Sequence, residues 1–530
     1  MNFKSIGKAA AVVSLVVIAA CSSSKSSSSS SSGTSASGAS TGALSSVVHL
    51  AFNADMQVPD PDIFYEIEGN SVVTSVYEGL VRYTPDSTTI EPALAESFTV
   101  SADGTTYTFK LRSGVKFHDG TTMDAAAVKA SFERRTTVNS APAYMLSDVT
   151  SYETPDAATF VVHLKQPVSA FLDYLAAPYG PKVVSPTLVS AHEVSGDAAQ
   201  DYLKTHDAGT GPFTISSFAL GTRYTLDRFD SYWGGAPQVS QIVIDLIPDI
   251  STQRLKLESG ELSMIIHGLS ATDIQSLSSK SGFQVQRFPA LFKAWIMTNE
   301  NKGIFKDQAL RVALAAAVDK AQITQQVYGD NGTASTQYYP AGELPAGKAA
   351  DNPTHDASKL ADAVKSLADK NVDVGFSSDD PRNGRIAEIL QTELQAAGLN
   401  ATVRGIPIAQ VFDLPNHADQ APDLLVSTVN PDAAHPDTWA RIFSSTKGSL
   451  NWLQCSVPDA DAAMDAGLHA TDKQQIEDDY AKAGDLLVAS GCFISIADVK
   501  EVIVAKTGYS GFVHQLPTLF TIRFGDLKIG

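Results

Sequence analysis

YEGLVRYTPD at residues 77–86 and IEPALAESFTVSADGTTYTFKLRSGVKFHDGTTMDAAAVKASFERR at residues 90–135 form the stretch that decides the fold. Alternating apolar residues stand on both sides of Asp103-Gly104, a dipeptide that is typical of a tight β-hairpin turn. A second Asp-Gly pair leads into a segment with apolar residues at helical spacing, which ends in two arginines. We therefore predict a β-hairpin followed by a helix.

The motifs in this stretch are more specific than a hairpin followed by a helix. YEGL, EPALAESF, DGTTYTFKLR, GVKFHDG and the closing ER resemble, in register, the cluster-5 extracytoplasmic solute-binding proteins of ABC importers, the peptide- and nickel-binding family. The resemblance implies an α/β fold of the two-lobed periplasmic-binding-protein type II-like class (cluster C). It also implies mixed, mainly parallel sheets, an extra subdomain in the first lobe and two hinge crossovers. The function that it implies is that of a non-enzymatic receptor, which closes around a solute and docks on a permease.

Domain boundaries follow from the same resemblance, and 530 residues are too many for one core. We expect lobe 1 over residues 47–288, with a peripheral subdomain over about 77–200 on the side away from the cleft. Lobe 2 is expected over residues 289–508. Residues 509–530 should return to lobe 1 and supply a second hinge strand.

The N-terminus has the pattern of an export signal over residues 1–20, because Lys4 and Lys8 precede an uncharged apolar run that is short for a bilayer span. The sequence IAAC that ends at Cys21 resembles a lipobox, so we expect Cys21 to carry a diacylglyceryl group with palmitate-type acyl chains. The alternative is a plain signal peptide with an incidental cysteine. Residues 21–46 are Ser-rich and read as a flexible tether. We therefore expect an exported protein, anchored by lipid at the outer face of the cell membrane.

The composition and the isolated histidines argue against several classes of partner, nucleic acid and metal ions among them. A formal net charge of −19 argues against nucleic acid, which requires a basic face. An apolar content of 43% excludes wholesale disorder. His118 and His163 stand alone beside predicted strands, which is typical of surface or hydrogen-bonded histidines and not of metal ligands. We expect a monomer with no cofactor, no metal and no catalytic residue.

The second half of the chain alternates strands and helices. We predict one long helix over residues 308–328, a strand over 372–376, a helix over 385–397, and strands over 399–403 and 424–428. Such alternation favours parallel strands with right-handed crossovers. Ligands of such sheets gather beyond the carboxyl ends of the strands.

The candidate site follows the last of these strands, where NPDAAHPDTW occupies residues 430–439. It resembles the family's segment with an acidic residue four places before a proline, and the matching residue here is Asp432. In peptide-binding members that aspartate pairs with the α-ammonium of the ligand, and such a charge-assisted hydrogen bond is far stronger in a partly dry cleft than in water. The alternative is that Asp432 caps the helix that follows.

Four further residues complete the predicted binding set. Asn430 and Val429 stand beside Asp432, and Val429 occupies a position where peptide-binding relatives often carry tryptophan. Trp295 matches an aromatic position that lines the cleft in relatives, although a tryptophan in a strand is as readily a core residue. Trp439 is expected either to pack beneath the cleft or to bind solute.

Cys455 and Cys492 remain once Cys21 is assigned to lipid. Two cysteines in an exported chain are most simply a disulfide, which would stabilise the fold by roughly 3–4 kcal/mol. The alternative is a catalytic or metal-binding thiol, for which no CxxC spacing is present.

The leading function is therefore capture of short peptides for an ABC permease. Nickel chelates, oligosaccharides and haem are alternative solutes, because fold does not fix function. A surface hydrolase is a second class, but we find no GxSxG elbow between a strand and a helix and no HExxH motif. A tethered sensor without transport is a third.

Overall fold

The computed structural model describes residues 45–345, 347–348, 351–517, 519 and 521–530. The expected signal, Cys21 and nearly all of the tether lie outside these residues. The strands are β1 Val47–Phe52, β2 Val81–Tyr83, β3 Ile90–Pro92, β4 Ala95–Val100, β5 Thr106–Leu111, β6 Val149–Asp156, β7 Thr159–Leu164, β8 Phe213–Ala219, β9 Arg223–Arg228, β10 Gln241–Leu246, β11 Met264–Ile265, β12 Phe283–Thr298, β13 Gly332–Ala334, β14 Asn371–Ser377, β15 Asn400–Ile406, β16 Leu424–Val429, β17 Phe493–Lys506, β18 Tyr509–Ser510 and β19 Lys528–Ile529.

The helices, in chain order, are α1 Asn70–Val76, α2 Ala125–Val138, α3 Phe171–Ala176, α4 Pro186–His192, α5 Gln200–Leu203, α6 Ile250–Ser259, α7 Ala271–Ser278, α8 Gln308–Ala317, α9 Lys320–Val327, α10 Ala357–Ala363, α11 Pro381–Ala396, α12 Ile408–Asp413, α13 Pro436–Ser444, α14 Pro458–His469 and α15 Lys473–Ser490. Within the described ranges, none of them combines the length and the apolar character that a membrane crossing needs.

The first lobe is built around the four-stranded sheet β1-β10-β9-β8, and the antiparallel sheet β4-β5-β7-β6 belongs to the same lobe. The second sheet contains the predicted hairpin, since β4 and β5 pair antiparallel on either side of Asp103-Gly104. Gly104 has φ of 69°, a conformation that glycine adopts without steric cost. Asp124 caps α2 by accepting the N–H of Ala127 at 2.9 Å. The hairpin and the helix after it are therefore confirmed.

The second lobe is built around the sheet β11-β17-β12-β16-β14-β15, with β13 paired to β17. β14 runs parallel to β15 and β16, whereas β12 is antiparallel to both β16 and β17. Among the described strands, parallel pairing is confined to β1 with β10 and to β14 with its two neighbours. The sheets are thus mixed but not mainly parallel, because the two longest strands run in opposite directions and many of the shorter ones pair as hairpins.

The predicted long helix over residues 308–328 is two helices. Val318 is extended, with φ of −68° and ψ of 122°, and it ends α8. Asp319 then accepts the N–H of Gln322 at 2.9 Å and caps α9. Helical periodicity alone did not reveal this break, because the apolar spacing continues across it.

Two long strands, β12 and β17, connect the lobes. The two strands pair with each other antiparallel up to Phe288 and again from Phe292, and the register shifts between these two residues. Phe288 and Ile503 belong to the first-lobe core, whereas Phe292 and Val499 belong to the second-lobe core. The second hinge strand is therefore β17, not the C-terminal segment that we expected to supply it. That segment instead forms the β18–β19 pair and packs apolar side chains into the first-lobe core.

Candidate functional site

Asp432 lies in the loop that joins β16 to α13, and it is only 9% exposed. Two tyrosines of the first lobe donate their hydroxyls to its Oδ2 atom: Tyr144 at 2.7 Å, and Tyr65 at hydrogen-bond distance. Burial raises the pKa of the Asp432 carboxyl, and these two hydrogen bonds partly offset the rise. The residue therefore joins the two lobes through a buried carboxyl.

The alternative role of Asp432 as a helix cap is not what the structure shows. His435 caps α13, because its Nδ1 accepts the N–H of Asp437 at 3.2 Å. Burial lowers the pKa of His435 to about 4, which keeps the ring neutral and able to accept. Asp432 is thus not needed to start α13.

First-lobe tyrosines surround this loop. The rings of Tyr65 and Tyr179 lie edge to face at 4.9 Å, and those of Tyr144 and Tyr174 at 5.7 Å. Burial raises the pKa of all four hydroxyls, so they remain protonated donors. Three of these residues lie within residues 77–200, the part of the chain that we expected away from the cleft. That expectation needs correction, because the segment reaches the loop of Asp432.

Asp437, in the first turn of α13, forms a second contact between the lobes. It accepts the hydroxyl of Tyr174 at 3.3 Å from the first lobe and that of Tyr480 at 2.6 Å from the second. Arg441 donates to the same carboxylate at 2.8 Å. The N-terminal turn of α13 is therefore held on both sides by hydrogen bonds.

The remaining predicted residues divide into two groups. Val429 and Asn430 are half-buried beside Asp432, and the Asn430 amide donates to the carbonyl of Pro431 at 3.1 Å. Trp295 and Trp439 are fully buried and pack against each other, with ring centroids 4.8 Å apart. This burial favours the packing role for both tryptophans, and their part in binding stays a prediction.

The structure joins Cys455 to Cys492 by a disulfide, with Cα atoms 6.3 Å apart. The Glu300 carboxylate lies beside the two sulfurs, and among the described residues these three form the one group with metal-like spacing. A disulfide sulfur is not the thiolate that binds metal, so this group offers no metal site.

Two cavities lie away from Asp432. One of about 580 Å³ lies beside β14 and the edge strand β15, and one of about 280 Å³ lies within the first lobe beside Tyr77 and Trp233. Asp432 itself is enclosed by the lobes, so a solute could reach it only when they separate.

Comparison with known proteins agrees with this architecture. The chain is 26% identical over 483 residues to the probable D,D-dipeptide-binding periplasmic protein DdpA of Escherichia coli K12. The aligned region covers 89% of this chain and 92% of that protein. It is 25% identical over 502 residues to the glutathione-binding protein GsiB of Salmonella paratyphi A, covering 91% and 94%.

Solved structures share the fold. DppA of Helicobacter pylori, in complex with the peptide STSA, superposes with a TM-score of 0.77 at 21% identity, covering 92% of this chain and 98% of that one. NikA of Brucella suis, in complex with Fe(III)-EDTA, superposes with a TM-score of 0.80 at 23% identity, covering 91% and 100%.

The family itself is shown by a match over residues 89–451 to the group described as bacterial extracellular solute-binding proteins, family 5 Middle. The relatives named for peptides, glutathione and metal chelates share the same two-lobed fold, so the fold does not select among these solutes. The chain belongs to the bacterial extracellular solute-binding proteins of family 5.

Proposed function

We propose that this chain is the membrane-tethered receptor of an ABC importer, which captures a short peptide between its lobes and delivers it to a permease. Membership of a solute-binding family supports the receptor role. The peptide class is supported by Asp432, a buried carboxyl that both lobes enclose. The lobe limits at 47–288, 289–508 and 509–530, the lipid on Cys21 and the monomeric state belong to the same proposal.

Asp432 would hold the free amino terminus of the peptide. Both tyrosine hydroxyls meet on Oδ2, so Oδ1 is the oxygen that would accept from the ammonium. Burial makes an isolated Asp432 carboxylate costly, and an ammonium beside it would recover that cost as a charge-assisted hydrogen bond. The peptide main chain could then pair with nearby backbone, which gives affinity without selecting side chains.

Capture would be coupled to closure because the site draws on both lobes. Tyr65 and Tyr144 come from the first lobe and Asp432 from the second. A solute that touches both shifts the equilibrium toward the closed form by its difference in affinity for the two forms. The closed form is the one that would dock on the permease.

The test replaces Asp432 by Asn and measures affinity for a free tripeptide and for its N-acetylated form by calorimetry. We expect the variant to lose about 10–100-fold in affinity for the free peptide, as for a hydrogen bond to a charged group, and to leave the acetylated peptide nearly unchanged. Asp362→Asn is the matched control, since it removes the same charge from an exposed pair with Lys365.

Equal losses for both peptides would assign Asp432 a structural role and remove the support for peptide capture. Mass spectrometry of the solute that co-purifies with the exported protein provides an independent measurement, and a nickel chelate or sugar there would overturn the peptide class. Recovery of the peptide intact after long incubation separates a receptor from a hydrolase.

A further inference from the structure

Glu343 is the buried carboxyl that the fold leaves without a donor. It lies in the long connection between β13 and α10 of the second lobe and is 8% exposed. No hydrogen-bond donor among the described residues reaches either of its oxygens. Buried carboxylates are normally paired or hydrogen-bonded, because an unpaired charge loses its hydration without compensation. Such a group in a binding protein points to a partner that arrives with the solute.

Lys293 is the nearest cation to consider, and its donors are already used. Its ammonium, which has three N–H donors, contacts the Ser335 hydroxyl, the Gln337 carbonyl at 3.1 Å and the Asp498 carboxylate at 3.0 Å. Lys293 therefore neutralises Asp498, and its field reaches Glu343 without a hydrogen bond.

A second carboxyl, that of Asp173 in the first lobe, interacts electrostatically with Glu343. Asp173 of α3 is half-buried, and desolvation raises its pKa to about 7. Its side chain accepts the Tyr83 hydroxyl at 2.9 Å. The negative charge of Asp173 raises the pKa of Glu343 further, as does that of Asp498. The charged groups that act on Glu343 are thus two carboxyls and one ammonium, which leaves its surroundings short of positive charge.

The region is linked to the loop of Asp432. The hydroxyl of Tyr83, which donates to Asp173, also accepts the backbone N–H of Ala434 at 2.9 Å. Ala434 lies two residues after Asp432, so one short segment of chain borders both acidic places. A peptide held at Asp432 by its amino terminus would therefore extend beside Glu343.

We propose that Glu343 of the second lobe, with Asp173 of the first, forms a second cation subsite that takes the ammonium or guanidinium of a lysine or arginine side chain of the bound peptide. This rests on the proposed capture of peptides, with Asp432 holding the amino terminus. A guanidinium or ammonium supplies several N–H donors to a pair of carboxylates, which is what the two orphaned oxygens require. The receptor would thus prefer basic peptides over neutral ones of the same size.

The test measures binding of Ala-Lys-Ala and Ala-Ala-Lys, and of the same peptides with norleucine in place of lysine, to the exported protein by calorimetry. We expect wild type to bind at least one of the lysine peptides about tenfold or more tightly than its norleucine partner. Glu343→Gln should bring the two within about threefold of each other while keeping the affinity for the norleucine peptide. Glu388→Gln removes an exposed carboxylate of the same lobe and should keep the wild-type preference.

Three results would contradict the subsite in different ways. Equal binding of lysine and norleucine peptides by wild type, or a preference that survives in both Glu343→Gln and Asp173→Asn, overturns the subsite and leaves peptide capture standing. If none of the four peptides binds to the wild-type protein, the proposed function is overturned together with the subsite. Thermal unfolding of each variant confirms that it is folded, and Asp173→Asn provides the second variant if Glu343→Gln does not fold.

Discussion

Two clusters of buried charge in this molecule are built on opposite principles. Arg134 and Arg135 of α2 are fully matched: Arg134 binds Asp60 at 2.7 and 2.9 Å, and Arg135 binds Asp62 at 2.9 Å and four backbone carbonyls besides. The cluster of Glu343 and Asp173 has carboxyls in excess and donors missing. The first arrangement stabilises the fold, whereas the second leaves buried carboxyl oxygens that a bound cation would compensate. Asp432, with two hydroxyl donors, lies between these extremes.

The largest expected effect comes from breaking the matched cluster. Arg135→Met should reduce the free energy of unfolding by about 3–5 kcal/mol, because it leaves the facing backbone carbonyls without their donor and leaves the Asp62 carboxylate with Arg134 as its remaining guanidinium partner. Chemical denaturation measures this loss. The control is Arg385→Met, which removes an exposed arginine paired with Glu388 and should change stability by less than about 1 kcal/mol. A small effect of Arg135→Met would mean that the two clusters do not differ as we describe.

A change of opposite sign is expected at the unmatched cluster. Glu343→Gln should increase the free energy of unfolding of the solute-free protein by about 1–3 kcal/mol near neutral pH, because the neutral amide avoids the free-energy cost of either protonating the buried carboxyl or burying its charge without a donor. Glu388→Gln should change it by a few tenths only. A loss of stability in Glu343→Gln would show that the carboxylate has a structural partner.

The difference in unfolding free energy between wild type and Glu343→Gln should depend on pH, which tests the contrast between the two clusters further. Burial, Asp173 and Asp498 raise the pKa of Glu343 well above 4.5, and Lys293 opposes them. A raised carboxyl pKa contributes stability that is complete below the unfolded value and is lost as pH rises toward the folded value. Wild type and Glu343→Gln should therefore have similar stability below about pH 4.5 and diverge as pH increases. Denaturation midpoints at several pH values measure this, and a constant difference would contradict it.

The smallest effect is expected at Asp432. Asp432→Asn should change the stability of the solute-free protein by less than about 1 kcal/mol, because the amide oxygen can still accept from Tyr65 and Tyr144 while the buried charge disappears. The same variant has its main effect on affinity for free amino termini. A loss of several kcal/mol in thermal or chemical unfolding would place Asp432 with the structural cluster instead.

Local sequence signals predicted the local structure well. The Asp103-Gly104 turn and the strand over residues 424–428 were correctly predicted, because both depend on neighbouring residues alone. The break at Val318 was missed, since apolar spacing continues through it. The long pairing of β12 with β17 could not be predicted either, because the two strands lie about two hundred residues apart in the chain.

The site was only partly within reach of the sequence. Asp432 was found through family resemblance, but its tyrosine partners were not, since Tyr144 and Tyr65 lie 288 and 367 residues away. Trp295 shows where the alternation of apolar and polar residues along a strand fails as a signal. Its strand lies in the middle of the sheet with both faces buried, so the sequence does not indicate which face meets a solute. Glu343 carried no signal, because one glutamate in a loop is ordinary until its surroundings are known.

The irregular step in β12 has a consequence for the C-terminal tail. Between Phe288 and Phe292 the ribbon loses its pairing, and Pro289 has no N–H to restore it. The N–H of Leu291 is instead bound at 3.0 Å by the carbonyl of Leu516, from the last fifteen residues of the chain. The C-terminal tail therefore braces β12 at the place where its pairing with β17 is interrupted, and the carbonyl of the next tail residue, Pro517, accepts the side-chain amide of Asn430 at 3.5 Å.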